Sequence, residues 1–397
     1  MDTHTDTHTD TTDVAEAEVA GTAVATRPSA SPLVASIYYN RPCRKQEGGQ
    51  PIVDEAVVDL GNAGPVVLFW HCTGYTRRSE GDYLIAQPVI NRDVSDADPS
   101  LRAEMRIDMP SAHRPLLRRR AYTKDLPQGQ SFFGVHANQA AVTDTNDTVH
   151  MVALDVSDIG VPPLIRFSRW GEALDYGHYF TEQIFDSEGG PLLVSVATTA
   201  YSRKENQMLG ATLWIDGQPK AVIQVFANPQ LQHMGLVGGD RVIQLPKGRH
   251  SMRLEPMQGT TIDANDTWSV LVMEMRAPSR AVMLLDNVKA TAQKGGGQVA
   301  SAGYESTGGS HLVCVWMSGY TATANQVLDA QLLVDDNPVG KLQVYANHAQ
   351  THMLLNGGDI AAGAIPRGAH TLKVVAGKNT ITDENDRVSL TVIEAFR

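Results

Sequence analysis

The chain has 397 residues, of which 42% are apolar, and it carries a formal net charge of −11. The length predicts about two to four ordinary globular domains, and the acidic balance excludes a general binder of nucleic-acid phosphates, which normally presents a basic face. The sparse cysteines, Cys43, Cys72 and Cys314, predict neither a disulfide framework nor a zinc-ligand pattern. Because no apolar run reaches about 18 residues, no membrane span is predicted.

The first segment, residues 1–31, is rich in Thr, Asp and Ala. It has neither the basic nor the apolar region of a secretory signal, so no signal peptide is expected. This composition cannot bury enough surface to offset the entropy of ordering, which predicts a disordered arm, or an arm that orders against neighbouring subunits. His4 and His8 could hold a metal, but isolated histidines in a solvated tail usually bind nothing.

The remaining chain is predicted to contain repeated modules at residues 32–157, 158–276 and 277–397. In the second and third, His233-Met234 followed by residues 238–240 (Gly-Gly-Asp) matches His352-Met353 followed by residues 357–359. The period of 119 or 120 residues is too long for a solenoid unit and indicates whole repeated domains. Module one departs most, with additional residues in its middle loops.

Short apolar runs separated by turn residues follow one another through the modules. Residues 65–70 predict a strand, and residues 116–120 form a basic cluster that could meet an anion but more commonly marks a solvated face. Residues 211–218 predict a strand ending in an Asp-Gly hairpin turn. Trp214 and Trp268 lie in strand-like runs and are predicted core residues. Residues 312–317 are apolar throughout, which predicts a strand buried on both faces.

Almost no helical periodicity occurs, and the spacing of the turns is typical of β-sandwiches. The predicted fold class is therefore all-β, with three tandem jelly-roll β-sandwich modules after a disordered N-terminal arm.

The order of elements resembles a known family. A strand, an Asp-Gly hairpin, a Leu-Pro-x-Gly turn, an acidic loop and a closing strand follow each other as in the jelly rolls of the tumour-necrosis-factor and complement globular-head superfamily. The Gly-x-His strands at His250 and His370, with their Val-x-Val-x-Glu closing strands, are also similar to bacterial and phage jelly rolls, although Ser131 replaces His in module one. The resemblance implies packing around a threefold axis, so one chain could form a closed pseudo-trimer; a row of modules is the alternative.

An acidic turn, Asp-x-Asn-Asp, recurs before the closing strand of each module. Its closely spaced oxygen atoms suit calcium, which takes 6–8 oxygen ligands. Alternatively, the side chains cap the loop by accepting hydrogen bonds from nearby backbone N–H groups. The candidate calcium ligands are Asp144, Asn146, Asp147, Asp263, Asn265, Asp266, Asp383, Asn385 and Asp386. No other cofactor is predicted.

Histidines also recur. His250 and His370 follow a turn and are interpreted as structural. His113, His233 and His352 recur near one loop of each module. The Asn-Asp-Thr sequons at Asn146 and Asn265 are interpreted as accidental.

No catalytic motif occurs: the sequence lacks Gly-x-Ser-x-Gly, His-Glu-x-x-His and a phosphate-binding loop. We therefore predict a non-enzymatic structural or receptor-binding component of a phage virion or tail-like particle, assembled from the cytoplasm with other copies of itself or other particle subunits. One alternative is a carbohydrate-binding or adhesion protein of a GC-rich bacterium, with a cell-surface glycan as partner. The other is a β-sandwich hydrolase.

Overall fold

A computed structural model describes residues 34–47, 51–60, 63–77, 83–92, 102–116, 119–138, 140–156, 165–170 and 182–396. All regular secondary structure within these ranges is β-strand, and the sheets are antiparallel. The all-β prediction is therefore confirmed. The predicted disordered arm, with His4 and His8, lies outside the described residues.

The strands fall into three successive groups, here called the first, second and third repeat. The first repeat contains β1 (Val34–Pro42), β2 (Gln46–Glu47), β3 (Ala56–Leu60), β4 (Gly64–Gly74), β5 (Tyr83–Ile90), β6 (Ala103–Arg106), β7 (Arg114–Pro115), β8 (Arg119–Leu126), β9 (Gly129–Ala137), β10 (Val142–Thr143) and β11 (Thr148–Asp155). The second contains β12 (Ile165–Trp170), β13 (Gln183–Ser187), β14 (Gly190–Ala200), β15 (Gln207–Ile215), β16 (Gln218–Ala227), β17 (Met234–Leu245), β18 (Gly248–Pro256) and β19 (Thr267–Glu274). The third contains β20 (Arg280–Lys289), β21 (Gln293–Lys294), β22 (Gln298–Ser306), β23 (Ser310–Gly319), β24 (Gln326–Val334), β25 (Asn337–Ala346), β26 (Met353–Leu354), β27 (Asp359–Ala364), β28 (Gly368–Ala376), β29 (Ile381–Thr382) and β30 (Arg387–Ala395).

Each repeat pairs two sheets in the strand order of a jelly roll. In the second repeat the orders are β12-β19-β14-β17 and β13-β18-β15-β16. If the eight strands of this repeat are counted along the chain, one sheet contains the first, eighth, third and sixth strands, and the other contains the second, seventh, fourth and fifth. The other repeats keep this order, except that the sixth strand is split into β7 and β8 or into β26 and β27. The predicted module boundaries fall between β11 and β12 and between β19 and β20, and they stay predictions.

The predicted hairpin joins β15 to β16. Asp216 and Gly217 have φ angles of 51° and 71°, the left-handed values that a two-residue turn needs to match the twist of its strands. Asp335 and Asp336, with φ angles of 49° and 66°, form the matching turn between β24 and β25. Asp tolerates this region because its short side chain can bond to the local backbone.

An apolar core lies between the two sheets of each repeat. Trp268 is fully buried in the second core, which confirms its prediction. The prediction for Trp214 is wrong, because this side chain is only partly buried and lies with its ring 5.4 Å from the Arg253 guanidinium. Successive residues of a strand point to opposite faces, and Leu213 and Ile215 take the core positions.

A fourth apolar cluster joins the three repeats. It is built mainly from the third and eighth strands of each jelly roll, and its buried members are Val67, Phe69, Val152, Leu154, Val156, Leu193, Leu271, Met273, Met275, Ala281, Leu312, Cys314, Ile393 and Ala395. On β23, Val313 and Val315 belong to the third core while Leu312 and Cys314 belong to this shared cluster. Burial of both faces of residues 312–317 is therefore confirmed.

Matching backbone contacts join the repeats in a ring. The amide of His113 in the first repeat donates to Asn347 Oδ1 of the third at 2.7 Å. The amide of His233 in the second donates to Asp108 Oδ2 of the first at 2.6 Å, and that of His352 in the third donates to Asn228 Oδ1 of the second at 2.9 Å. These contacts run in one direction around the repeats, as the closed pseudo-trimer requires and a row does not.

The sequence predicts no disulfide framework and no membrane span. Cys43, Cys72 and Cys314 are buried, and none of these three thiols forms a disulfide. Among the described residues, the structure contains no helix with the length and apolar character to cross a membrane.

Candidate functional site

The acidic turns fold through their own side chains. In each turn the first Asp accepts, through Oδ1, the amide of the Asn two residues later at 2.7 Å. The last Asp accepts, through Oδ2, the amide of the first Asp at 2.8–3.0 Å. These carboxylate oxygens therefore do what the loop-cap alternative predicts.

The last Asp of each turn is fully buried, at positions 147, 266 and 386. The hydroxyl of Thr73 donates to Asp147 Oδ1, and that of Ser318 donates to Asp386 Oδ1, both at 2.8 Å. Buried carboxylates need such donors because desolvation disfavours their charge. The position next to Asp266 is held by Thr199, whose hydroxyl accepts the Thr267 amide at 2.9 Å.

The recurring histidines lie against these turns. His113 Nδ1 is 2.9 Å from Asp147 Oδ1, and His352 Nδ1 is 2.8 Å from Asp386 Oδ1. Burial lowers the pKa of His113, but the hydrogen bond to Asp147 and the charges of Asp147 and Asp144 together raise it more, so the net shift is upward. Burial also raises the pKa of Asp147.

The second turn differs from the other two. His233 Nδ1 bonds Asp108 Oδ2 of the first repeat at 2.9 Å instead of the turn's own Asp266. Its Nε2 lies 3.6 Å from Asp263 Oδ1 and 3.7 Å from Asp266 Oδ2. Neither His233 Nε2 nor Asp266 Oδ1 has a hydrogen-bond partner, although both are buried. A histidine and two turn carboxylates thus converge with two unsatisfied ligand atoms.

The electrostatics of the second turn follow from burial. Burial raises the pKa of Asp266 to about 6, although the charge of His233 and the hydrogen bond from the Asp263 amide lower it. Burial lowers the pKa of His233, but the carboxylates of Asp108, Asp266 and Asp263 raise it above its usual value. Burial raises the pKa of Asp108, but the hydrogen bonds from His233 and the charges of His233 and Arg106 together lower it more.

The asparagine side chains of the turns play a smaller part than the sequence predicted. Asn146 is exposed, and Asn265 Oδ1 accepts the Tyr83 hydroxyl at 2.7 Å. Each asparagine contributes its backbone amide to the turn instead. The groups that do converge are one histidine nitrogen and carboxylate oxygens in every turn. Calcium takes oxygen ligands, whereas a mixed nitrogen and oxygen set suits a transition metal.

A second cluster joins the three repeats. Arg120 donates to both carboxylate oxygens of Asp240, at 2.7 and 3.2 Å, and to both of Asp359, at 2.9 and 3.0 Å. The side chains of these residues are 4%, 0% and 0% exposed. The guanidinium carbon lies 4.3 Å from the centroid of the Phe69 ring. Each residue comes from the sixth jelly-roll strand of a different repeat, so the cluster marks the axis of the ring.

At this axis, the three repeats carry residues of opposite charge at equivalent positions. Positions 120, 240 and 359 repeat with the period of the modules. Three buried aspartates would repel one another, and so would three arginines, whereas one arginine between two aspartates leaves one net negative charge. A homotrimer of one module could not supply this set. The solvated-face interpretation of residues 116–120 is therefore wrong for Arg120.

The interpretation of His250 and His370 as structural is confirmed. His250 contacts Asp216 Oδ2 at 2.7 Å and the Pro246 carbonyl at 2.9 Å. His370 makes the matching contacts with Asp335 and Pro366, at 2.6 and 2.8 Å. Burial lowers the pKa of His250, but its contacts with Asp216 and the Pro246 carbonyl raise it more.

A cleft of about 210 Å³ opens on the sheet of the first repeat that contains β5 and β9. Its lining residues are Ile85, Gln87, Arg102, His136, Ala137 and Asn138. The Asn138 side chain is committed to the backbone, since it donates to the Tyr83 carbonyl and accepts the Ile85 amide. The remaining polar groups of the cleft come from Gln87, Arg102 and His136.

Sequence reasoning placed the acidic turns correctly but did not connect them to the histidines. A signal was available, because His113, His233 and His352 recur with the same period as the turns. The sequence offered a weaker indication of the role of Asp108. This residue lies one repeat period before Asn228 and two periods before Asn347, so the three positions are equivalent.

No protein-family profile matches this chain, and no curated protein sequence matches it. Among solved structures, the chain is similar to PNGF-II, at 6% identity and a TM-score of 0.32 over 84% of this chain and 99% of that one. It is also similar to the protein described with the triple jelly-roll fold and turret assembly of an archaeal virus, at 8% identity and a TM-score of 0.18 over 90% and 91% of the two chains. A third similarity is to infectious bursal disease virus, Gt strain, at 12% identity and a TM-score of 0.20 over 88% and 75%. These likenesses are too distant to carry an argument about function.

Proposed function

We propose that the protein is a non-enzymatic, single-chain building block of a phage virion or tail-like particle, with a structural or receptor-binding role. The observation that carries the proposal is the buried axis, where Arg120 holds Asp240 and Asp359 from the other two repeats. A ring closed in this way forms within one chain. It supplies the equivalent of a trimeric capsomer without needing other copies to form. The same proposal includes membership of the tumour-necrosis-factor and complement globular-head superfamily. It also includes assembly of the particle from the cytoplasm.

The outer sheets offer contact surfaces for assembly. Val57 on β3 and Ile184 on β13 are 53% and 48% exposed, and both strands are edge strands of their sheets. Apolar groups on an exposed sheet edge favour packing against another protein. We expect other particle subunits to cover these edges.

Electron microscopy combined with small-angle scattering tests this proposal. The isolated chain should be a compact ring with a radius of gyration of about 21 Å, as for a compact chain of this size. At high concentration, or with proteins of the same particle, it should form ordered assemblies that Val57→Asp combined with Ile184→Asp disrupts. A chain that stays monomeric under all these conditions would contradict the particle role.

A second candidate is glycan binding, which the polar cleft of the first repeat favours. A glycan array would then give specific signals that Arg102→Ala and Gln87→Ala abolish. Turnover of a glycoside or amide substrate, lost in variants of the same cleft, would contradict the non-enzymatic proposal and favour the hydrolase alternative.

A further inference from the structure

The three contacts between repeats are built from equivalent residues, yet one of them is left unsatisfied. At the first–third and third–second contacts, an asparagine side chain accepts the histidine amide, and the histidine Nδ1 bonds the buried Asp of its own turn. At the second–first contact an aspartate, Asp108, accepts both the amide and Nδ1 of His233. The buried Asp266 therefore loses the histidine contact that its equivalents have.

The loss leaves a buried histidine nitrogen, His233 Nε2, without a hydrogen-bond partner beside the carboxylates of Asp263 and Asp266. His233 is 7% exposed and Asp266 is 0% exposed, and His233 Nε2 and Asp266 Oδ1 have no hydrogen-bond partner. Buried polar groups are normally satisfied, so unsatisfied atoms on two neighbouring buried side chains imply a missing partner. The partner must accept electron pairs from both atoms, because the Nδ1 hydrogen bond to Asp108 leaves Nε2 as the nitrogen with a lone pair when the ring is neutral.

We propose that this contact binds one divalent transition-metal ion, through His233 Nε2 and the carboxylates of Asp263 and Asp266. Ligand atoms of the three residues lie within 4.8 Å of one another. The nitrogen is 3.6 and 3.7 Å from the nearest oxygens of Asp263 and Asp266. Two ligands on a tetrahedral zinc ion lie about 3.3–3.5 Å apart, given metal–ligand distances near 2.0–2.2 Å. The two nitrogen–oxygen distances therefore need to shorten by only a few tenths of an ångström.

Asp108 acts as the positioning residue. A metal-bound histidine commonly donates its second ring N–H to a carboxylate, which fixes the tautomer and strengthens the ligand. Asp108 Oδ2 makes this contact with His233 Nδ1 at 2.9 Å. Asn228 and Asn347, at the equivalent places, accept only a backbone amide. The single Asp among these three positions therefore predicts a single metal site in the ring.

The site also has a route for the ion. The side chain of Asp263 is 29% exposed, whereas those of His233 and Asp266 are 6% and 0% exposed. The ion would enter past Asp263 and come to rest against Asp266. Since Asp108 belongs to the first repeat and the ligands to the second, the bound ion would reinforce the contact between these two repeats.

Metal titration of the full chain, untagged and freed of metal by a chelator, tests the proposal. We expect Co²⁺ and Zn²⁺ to bind with a stoichiometry of one per chain by calorimetry, and Co²⁺ to show the visible absorption of a low-symmetry nitrogen and oxygen site. His233→Gln should abolish this binding. Asp108→Asn, which makes this contact resemble the other two, should weaken it by about 10- to 100-fold.

His352→Gln is the matched control, because it removes the equivalent histidine of the third repeat, and it should leave the affinity unchanged. Circular dichroism checks that each variant is folded, and Asp108→Asn provides the test if His233→Gln is not. The proposal is overturned if the chain binds neither metal, if three ions bind per chain, or if calcium binds in preference to Co²⁺. Binding that survives His233→Gln, as binding by His4 and His8 would, also overturns it.

Discussion

Replacing Arg120 by Met should destabilise the ring more than any other single charge removal we consider. Arg120 is the cation that faces both Asp240 and Asp359 at the axis, with four hydrogen bonds of 2.7–3.2 Å. Its loss leaves two uncompensated carboxylates in a buried site, and breaking a buried ion pair in this way costs about 3–5 kcal/mol. The lost contact with the Phe69 ring at 4.3 Å adds about 1–2 kcal/mol.

Urea unfolding followed by tryptophan fluorescence measures this loss. The matched control is Arg92→Met, because Arg92 pairs with Glu55 at 3.0 Å but its side chain is 70% exposed, and an exposed pair contributes less than about 1 kcal/mol. Combining Arg120→Met with Asp240→Asn and Asp359→Asn should recover part of the stability, since no buried charge is then left unpaired. A loss for Arg120→Met no larger than that of Arg92→Met would refute the reasoning about the axis.

Three further predictions use the same unfolding assay. Trp268→Ala should cost about 3–5 kcal/mol, whereas Trp214→Ala should cost only about 1 kcal/mol because its side chain is partly buried and loses mainly the contact with the Arg253 guanidinium. Equal losses would contradict the assignment of faces on β15. Asp386→Ala should cost more than about 2 kcal/mol, because it leaves buried donors without an acceptor, and a loss under 0.5 kcal/mol would count against the loop-cap role. The folded-state pKa of His250 is raised, so its contribution is complete below its unfolded pKa of about 6.5 and is lost as the pH rises through the folded value. The stability difference between the wild type and His250→Gln should therefore shrink as the pH rises above about 6.5, and a difference that grows with pH would contradict this sign.

Some features of this protein follow from its sequence alone. The Asp216-Gly217 hairpin, the burial of Trp268 and the two buried faces of residues 312–317 depend on local patterns: turn residues that tolerate left-handed geometry, and apolar residues at strand spacing. The repeat period likewise indicated several copies of one jelly-roll module. Turn and strand patterns involve only a few neighbouring residues, and the repeat is recognised by its constant spacing. Both can therefore be identified from the sequence without knowing how the chain folds.

The sites required the tertiary structure. The period shows that positions 120, 240 and 359 are equivalent, but only the closed ring brings Arg120 against Asp240 and Asp359 at its axis. The contact between His233 and Asp108 also joins different repeats, across 125 residues. Trp214 failed for a related reason, because a strand pattern does not say which of its two faces meets the core when both carry apolar groups. Equivalence is a property of the sequence, whereas contact between equivalent residues depends on how the repeats pack.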